Sequence, residues 1–516
     1  MIKNFKWLFL VSLTFMACSD DDAVVEEPLV PGTADFSKYV ALGDSFAAGF
    51  SDNALFKKGQ LNSYPEILAG QFKLVGGGNF VSPLCGDDNI GGLLFGGNVI
   101  QGTRLIFNGS VPVNLPGTPV TEVTNHLTGS FNNMGVPGAK SFHLLAAGYG
   151  STAGVPSGAA NPYFARFSSA PSTTILADAL TQQPTFFSLW IGGNDVLTYA
   201  TSGGTGVDRT GNPDATTYAQ NDITDPGLFA NAYAGIAAQL ASGGRKGVVA
   251  NLPYINTLPY FTTVPTNPVP ARPSAEAAQL NMLFGAINQI TTAMSLPNRF
   301  VTISTDDNNP STVEPTNPLL IVDETLTDLS AQITGALTPV VGGPTATYLG
   351  NLYGRARHAK NVVGGDRDFI LLPTRALITP PNNIQPGVPA PFNARGVTYP
   401  LQDAQVLTID EASKIKVATD AYNVTIKAAA DTHGLAYVDA KAVMGQLVNG
   451  GIRFGNYHMT AGFVTGGAFS LDGVHPSARG YALIANEFLK AINAKYGSTF
   501  RSINLGQYQI QYPASL

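Results

Sequence analysis

The chain reads as an α/β protein in which a largely parallel sheet carries helices on both faces, and three observations predict this. Residues 185–191 (TFFSLWI), 247–252 (GVVANL) and 435–439 (LAYVD) are nearly unbroken apolar runs, the pattern of strands buried on both faces. Segments with helical spacing alternate with these runs, as in an α/β sheet. The first run is followed directly by Gly192-Gly193 and the last ends in Asp439, residues that let a chain turn.

Taken in order, residues 36–42 (FSKYVAL) form a β-branched and aromatic run that breaks at Gly43, which predicts a strand entering a tight turn. Residues 63–66 (SYPE) carry a capping-box spacing with Pro in the first turn. Ile67, Leu68 and Phe72 follow, so a helix is expected there. Residues 75–128 are rich in glycine and polar side chains and read as an insertion of turns with a hairpin. A helix closing over residues 178–183 precedes the first long apolar run. Residues 259–404 contain Pro-rich stretches around one helical segment, 275–294. A structureless loop of that length is improbable, so a small inserted subdomain is expected. A helix rich in Ala and Lys spans about 409–431. The last helix shows Tyr481, Ile484, Ala485, Phe488 and Leu489 at i, i+3, i+4, i+7 and i+8.

Composition narrows the function. Of 516 residues 44% are apolar, enough for a large core, and only 12% are charged, about half the usual share. Gly (56) and Pro (35) are abundant, giving a turn-rich chain with a neutral-polar surface. A net charge of −6 leaves no basic footprint, so no nucleic-acid partner is expected. At the N-terminus Lys3 and Lys6 precede an apolar run at 7–16 that is too short for a permanent membrane helix. Residues 15–18 (FMAC) resemble a bacterial lipobox, which implies a leader over residues 1–18 and lipidation of Cys18. An acidic, Pro-containing tether over residues 19–36 then follows, and its opening SDDD resembles the surface-export signal of Bacteroidetes lipoproteins. The resemblance implies an extracytoplasmic protein held by lipid to the outer membrane. Cys85 is then the one remaining thiol, which forbids an intrachain disulfide and leaves stability to the core.

The candidate chemistry sits in four short segments. Ser45 follows a strand in a turn whose glycine exposes the side chain. A hydroxyl attacks only when a base takes its proton and the resulting oxyanion is stabilised. Asp472 and His475 lie three apart before Pro476, a spacing that brings a carboxylate to one imidazole nitrogen and leaves the other for a serine. The N–H of Ser45, the N–H of Gly138 in a Pro-Gly turn and the side-chain amide of Asn194 after a buried strand are candidate oxyanion donors. His126, His143, His358, His433 and His458 have no such partner and default to structural roles. With two cysteines and no His-x-x-x-His spacing, no zinc site is expected. No other metal or organic cofactor is implied.

Residues 39–49 (YVALGDSFAAG), 133–139 (NMGVPGA), 192–195 (GGND) and 472–476 (DGVHP) resemble, in order, the first, second, third and fifth blocks of the SGNH/GDSL hydrolases. Residues 251–253 (NLP) and 437–439 (YVD) are similar to strand ends of that family. The match covers about 37–75, 130–258 and 405–495, departing at the insertions 75–128 and 259–404 and at Phe46, where the family has leucine. The resemblance implies a three-layer α/β/α, flavodoxin-like fold over residues 37–500, followed by a tail at 501–516. It implies a serine ester hydrolase with Ser45 as nucleophile and Asp472 and His475 as acid and base, and a monomer is expected. Ser45, Gly138 and Asn194 would form the oxyanion hole. The expected substrate is a small-molecule, lipid or glycan ester. A carbohydrate O-acetylesterase and a non-catalytic binding lipoprotein are the rival readings. Leu93-Leu94-Phe95 and Pro391-Phe392 are candidates either for an acyl pocket or for the cores of the insertions.

Overall fold

A computed structural model describes residues 28–86, 89–309, 311–361 and 367–516. The leader expected over residues 1–18, Cys18 included, lies outside the described residues. Five parallel strands form the central sheet: β1 (Tyr39–Gly43), β2 (Asn133–Gly135), β3 (Phe186–Trp190), β4 (Lys246–Ala250) and β5 (Ala436–Val438), in the order β2-β1-β3-β4-β5. Gly43 is level with both Gly135 of β2 and Trp190 of β3. Every residue of β1, β2 and β3 is buried, so both faces of the sheet are covered and the apolar runs need no alternation.

The covering helices fall into two packed groups. On one side α1 (Tyr64–Lys73) lies against the C-terminal helix, Ala478–Tyr496. Phe36, Phe72, Phe186 and Phe500 pack ring against ring there. The first turn of α1 is set by Ser63, whose hydroxyl accepts the Glu66 N–H. The second group comprises α2 (Ile175–Thr181), α3 (Asn194–Thr201), α4 (Pro226–Ala241) and the helix Ile409–Thr432. Phe229 of α4 stacks on Tyr422 at 4.1 Å.

The insertion at 259–404 carries α5 (Ser274–Ala293), α6 (Ser330–Val341) and α7 (Gly343–Tyr353). These pack with the antiparallel pair Leu320–Val322 and Ala356–His358 around a cluster of its own that includes Phe284, Ile287, Phe300, Leu320 and Tyr353. After it come α8 (Ile409–Thr432), α9 (Ala440–Val448) and α10 (Ala478–Tyr496). A buried guanidinium ties the insertion to α8. Arg357 pairs with Asp323 at 2.6 Å and doubly with Asp368, whose Oδ1 also accepts the Ile409 N–H. The insertion at 75–128 forms two short hairpins, and Leu93 is buried with Phe50, Cys85 and Tyr163.

Both chain ends differ from the sequence expectation. Residues 28–36, expected in the tether, lie against the end of α10: Thr33 N–H donates to Tyr496, and Ser498 and Thr499 donate to Pro31 and Pro28. Residues 501–516 are not a free tail. Tyr512 is buried, and Arg104 of the first insertion donates to the carbonyls of Tyr512, Pro513 and Ala514. In each case apolar anchors, Phe36 and Tyr512, outweigh the polar character of their neighbours.

Candidate active site

The β2-β1-β3 order reverses direction at β1 and β3, and crevices at such reversals, beyond the strands' carboxyl ends, are where open α/β sheets bind ligands. Ser45 leaves β1 there. The turn is tight: a Cβ on Gly43 would come within 2.4 Å of the Trp190 carbonyl, so only glycine fits. Asp44 caps the one-turn helix Ser45–Ala48 by accepting the Phe46 N–H at 3.0 Å. Asn133 locks that turn to β2, donating to Ala47 and accepting from Gly135.

The loop between the short strand Tyr457–Met459 and α10 brings in the partners. His475 Nε2 lies 2.9 Å from Ser45 Oγ and Nδ1 lies 2.8 Å from Asp472 Oδ2. Oδ1 of Asp472 accepts from the N–H groups of Val474 and His475 and from the Ser470 hydroxyl, and Oδ2 also accepts from the Asn53 N–H. Burial pushes the Asp472 carboxyl up. The adjacent imidazole and these donors outweigh burial and hold it down at about 2. An ionised carboxylate only accepts, so Nδ1 carries the hydrogen and Nε2 accepts the Ser45 proton. The rings of Phe50 (4.6 Å) and Phe46 (5.5 Å) flank the imidazole.

The donor side comes from β2 and β3. Gly138 adopts φ +81°, which glycine takes without strain. Its turn is held by Asn161, whose amide donates to Pro137 at 2.8 Å. Asn194, at the start of α3, donates one amide hydrogen to Ala139 at 3.0 Å and has a second to offer. The neighbouring Asp195, fully buried, accepts the N–H and hydroxyl of Ser141 at 2.8 and 2.7 Å. The Gly138 loop and α3 are thus laced together. Among the described residues neither the Ser45 nor the Gly138 N–H has an acceptor.

All five residues expected at the site therefore end on adjacent strands or the loop facing them, and Ser45, His475 and Asp472 form one continuous relay. Sequence reading missed Phe50, Asp52 and Asn53. They stand in a turn at φ +50° and +62° for the last two, and nothing in their local pattern links them to residues more than 400 positions away. Of the other histidines, His143 is half-buried and His358 buried, each accepting a backbone N–H, and desolvation draws them down to about 3 and about 4. Cys85 is buried and burial pushes its thiol up, the opposite of an activated nucleophile.

An apolar cavity of about 100 Å³ opens beside the relay. Phe46, Trp190, Leu197, Leu252, Met444 and Leu447 contribute to its wall, as do Asp44, Val474 and Pro476, which adjoin Ser45 and His475. Phe46, whose ring is 5.1 Å from Trp190 and 5.5 Å from His475, belongs to both the cavity wall and the surroundings of the imidazole, while Ser45 and His475 do not themselves line the cavity. Neither Leu93-Leu94-Phe95 nor Pro391-Phe392 lines it: Leu93 and Phe95 pack with Phe50, Leu55 and Tyr163, and Phe392 packs against the core of its own insertion. No family model, no curated protein and no solved structure matches the chain.

Proposed function

We propose that the chain is a serine ester hydrolase of the SGNH/GDSL type, with the three-layer, flavodoxin-like fold of that family. The observation that carries this reading is the Ser45–His475–Asp472 relay, closed at 2.9 and 2.8 Å. His475 takes the hydroxyl proton as Ser45 Oγ attacks the ester carbonyl carbon. The N–H groups of Ser45 and Gly138 and the Asn194 amide receive the oxyanion. The tetrahedral intermediate expels the alcohol, to which His475 gives the proton. Water, deprotonated by the same imidazole, then releases the acid and restores Ser45. Asp472 keeps the imidazole in the required tautomer and balances the imidazolium charge.

The apolar cavity favours an ester with a short to medium alkyl chain over an acetylated sugar, whose polar groups would find few partners in such a wall. In this reading Cys18 carries the lipid that holds a monomeric enzyme to the outer membrane, on its extracytoplasmic side.

A fluorophosphonate probe is expected to label the wild-type protein and not Ser45→Ala. Absence of labelling in folded wild type would overturn the serine mechanism and favour a binding lipoprotein. Hydrolysis of p-nitrophenyl esters is expected to rise from acetate to butyrate or hexanoate, whereas activity confined to acetate would favour the O-acetylesterase.

A further inference from the structure

Past the C-terminal end of α3 lies a second group of charges that ester chemistry does not use. Glu324, Asp403 and Glu411 each bring a carboxylate oxygen within 4.8 Å of the other two. They come from separate places: Glu324 follows the insertion strand Leu320–Val322, Asp403 closes the insertion, and Glu411 lies in the first turn of α8. Glu411 is 1% exposed. Its Oε2 accepts the N–H and hydroxyl of Thr408, but Oε1 is buried with no partner. Gly203 and Gly204 cradle the group from α3. A Cβ on Gly204 would stand 2.1 Å from Oε1, and one on Gly203 would stand 2.1 Å from the Asp403 carbonyl.

Among the described residues no Lys or Arg side chain pairs with these three carboxylates. Arg357 is taken up by Asp323 and Asp368, and Arg355 pairs with Asp328. The end of α3 adds the partial negative charge of a helix C-terminus, Asp323 lies within electrostatic reach of Asp403, and the Tyr199 hydroxyl within reach of all three carboxylates.

We propose that Glu324, Asp403 and Glu411 hold a calcium ion that fastens the insertion to the end of α3. Opposite oxygens around calcium stand about 4.6–5.2 Å apart, so the three fit one coordination sphere. Three carboxylates from unrelated elements also suit calcium's tolerant geometry better than the near-octahedral demand of magnesium. The ion would act structurally, since Glu411 reaches α3 at the end remote from Asn194.

The test is calorimetric titration of the purified protein with CaCl2 after chelator treatment, with melting temperature measured alongside. One calcium per chain, bound more tightly than magnesium, is expected, and it should raise the melting temperature by several degrees. Glu411→Gln should abolish both effects. Glu324→Gln, at an exposed position where folding is not at risk, should weaken binding at least about tenfold through loss of one charged ligand. Folded wild-type protein that binds no calcium, or binding left unchanged in both variants, would overturn the site.

Discussion

Asn194 stands at the meeting of two demands. Its amide holds the Gly138 loop through Ala139, and the same group is the candidate donor to the oxyanion. Asn194→Ala is expected to lower kcat by about 10²–10³ with a smaller change in KM, since the donor counts most when charge develops. Steady-state kinetics on a butyrate ester check this, and an unchanged kcat would remove Asn194 from the proposed site. Asp52 supports the opposite side. Its Oδ1 accepts the Leu471 N–H while Oδ2 is buried without a partner. Burial, opposed by that N–H and reinforced by the charge of Asp472, pushes its carboxyl up to about 7. An acid raised in the folded state stabilises fully below its unfolded value near 4, and that contribution is lost as pH rises through 7. Asp52→Asn should therefore match wild type in melting temperature near pH 4 and exceed it at pH 8. Equal curves across that range would show that Asp52 does not titrate there. Spacing in the sequence reveals Asp472 and His475 because they are neighbours on one turn. It is silent on Asp52 and Asn53, whose partners are brought in only by the fold.

At the scale of elements, the long apolar runs gave β3, β4 and β5 to within a residue or two, because a doubly covered strand imposes its composition on the sequence. Ser63, Pro65 and Glu66 likewise marked the start of α1 through local hydrogen bonds. β2 was harder to read, having three residues whose burial comes from β1 and the Ser45 turn rather than from any pattern of its own. The cavity was also hidden. Its wall joins α3, α9 and α10 with the turn after β4, elements whose apolar faces look like ordinary core. Met444 on α9 offers a direct test: Met444→Trp should fill the space and cut hexanoate hydrolysis at least about tenfold, while acetate hydrolysis changes little. Chain-length profiles of the two proteins check this, and parallel losses on both esters would place the alkyl chain elsewhere.

Across the whole molecule, the two insertions do different work. The one at 75–128 clasps the C-terminal segment through Arg104, so the chain's last residues are part of the fold. The one at 259–404 has its own core yet leans on the site: Tyr260 N–H donates to Gly473, between Asp472 and His475. Both insertions were visible as interruptions, but they are attached through individual buried side chains such as Arg104 and Arg357, each making several polar contacts, which leave no periodic trace. One further consequence follows from where residues 28–36 dock. Thr33 meets Lys246 at the start of β4 and Tyr496 at the end of α10, the edge of the sheet from which the strands depart, whereas Ser45 emerges at the far edge, a β1 length of about 16 Å away. The molecule therefore has a foot and a mouth at opposite poles. A tether running on from residue 28 therefore joins the fold at the side opposite Ser45, leaving the crevice above β1 and β3 clear of the attachment.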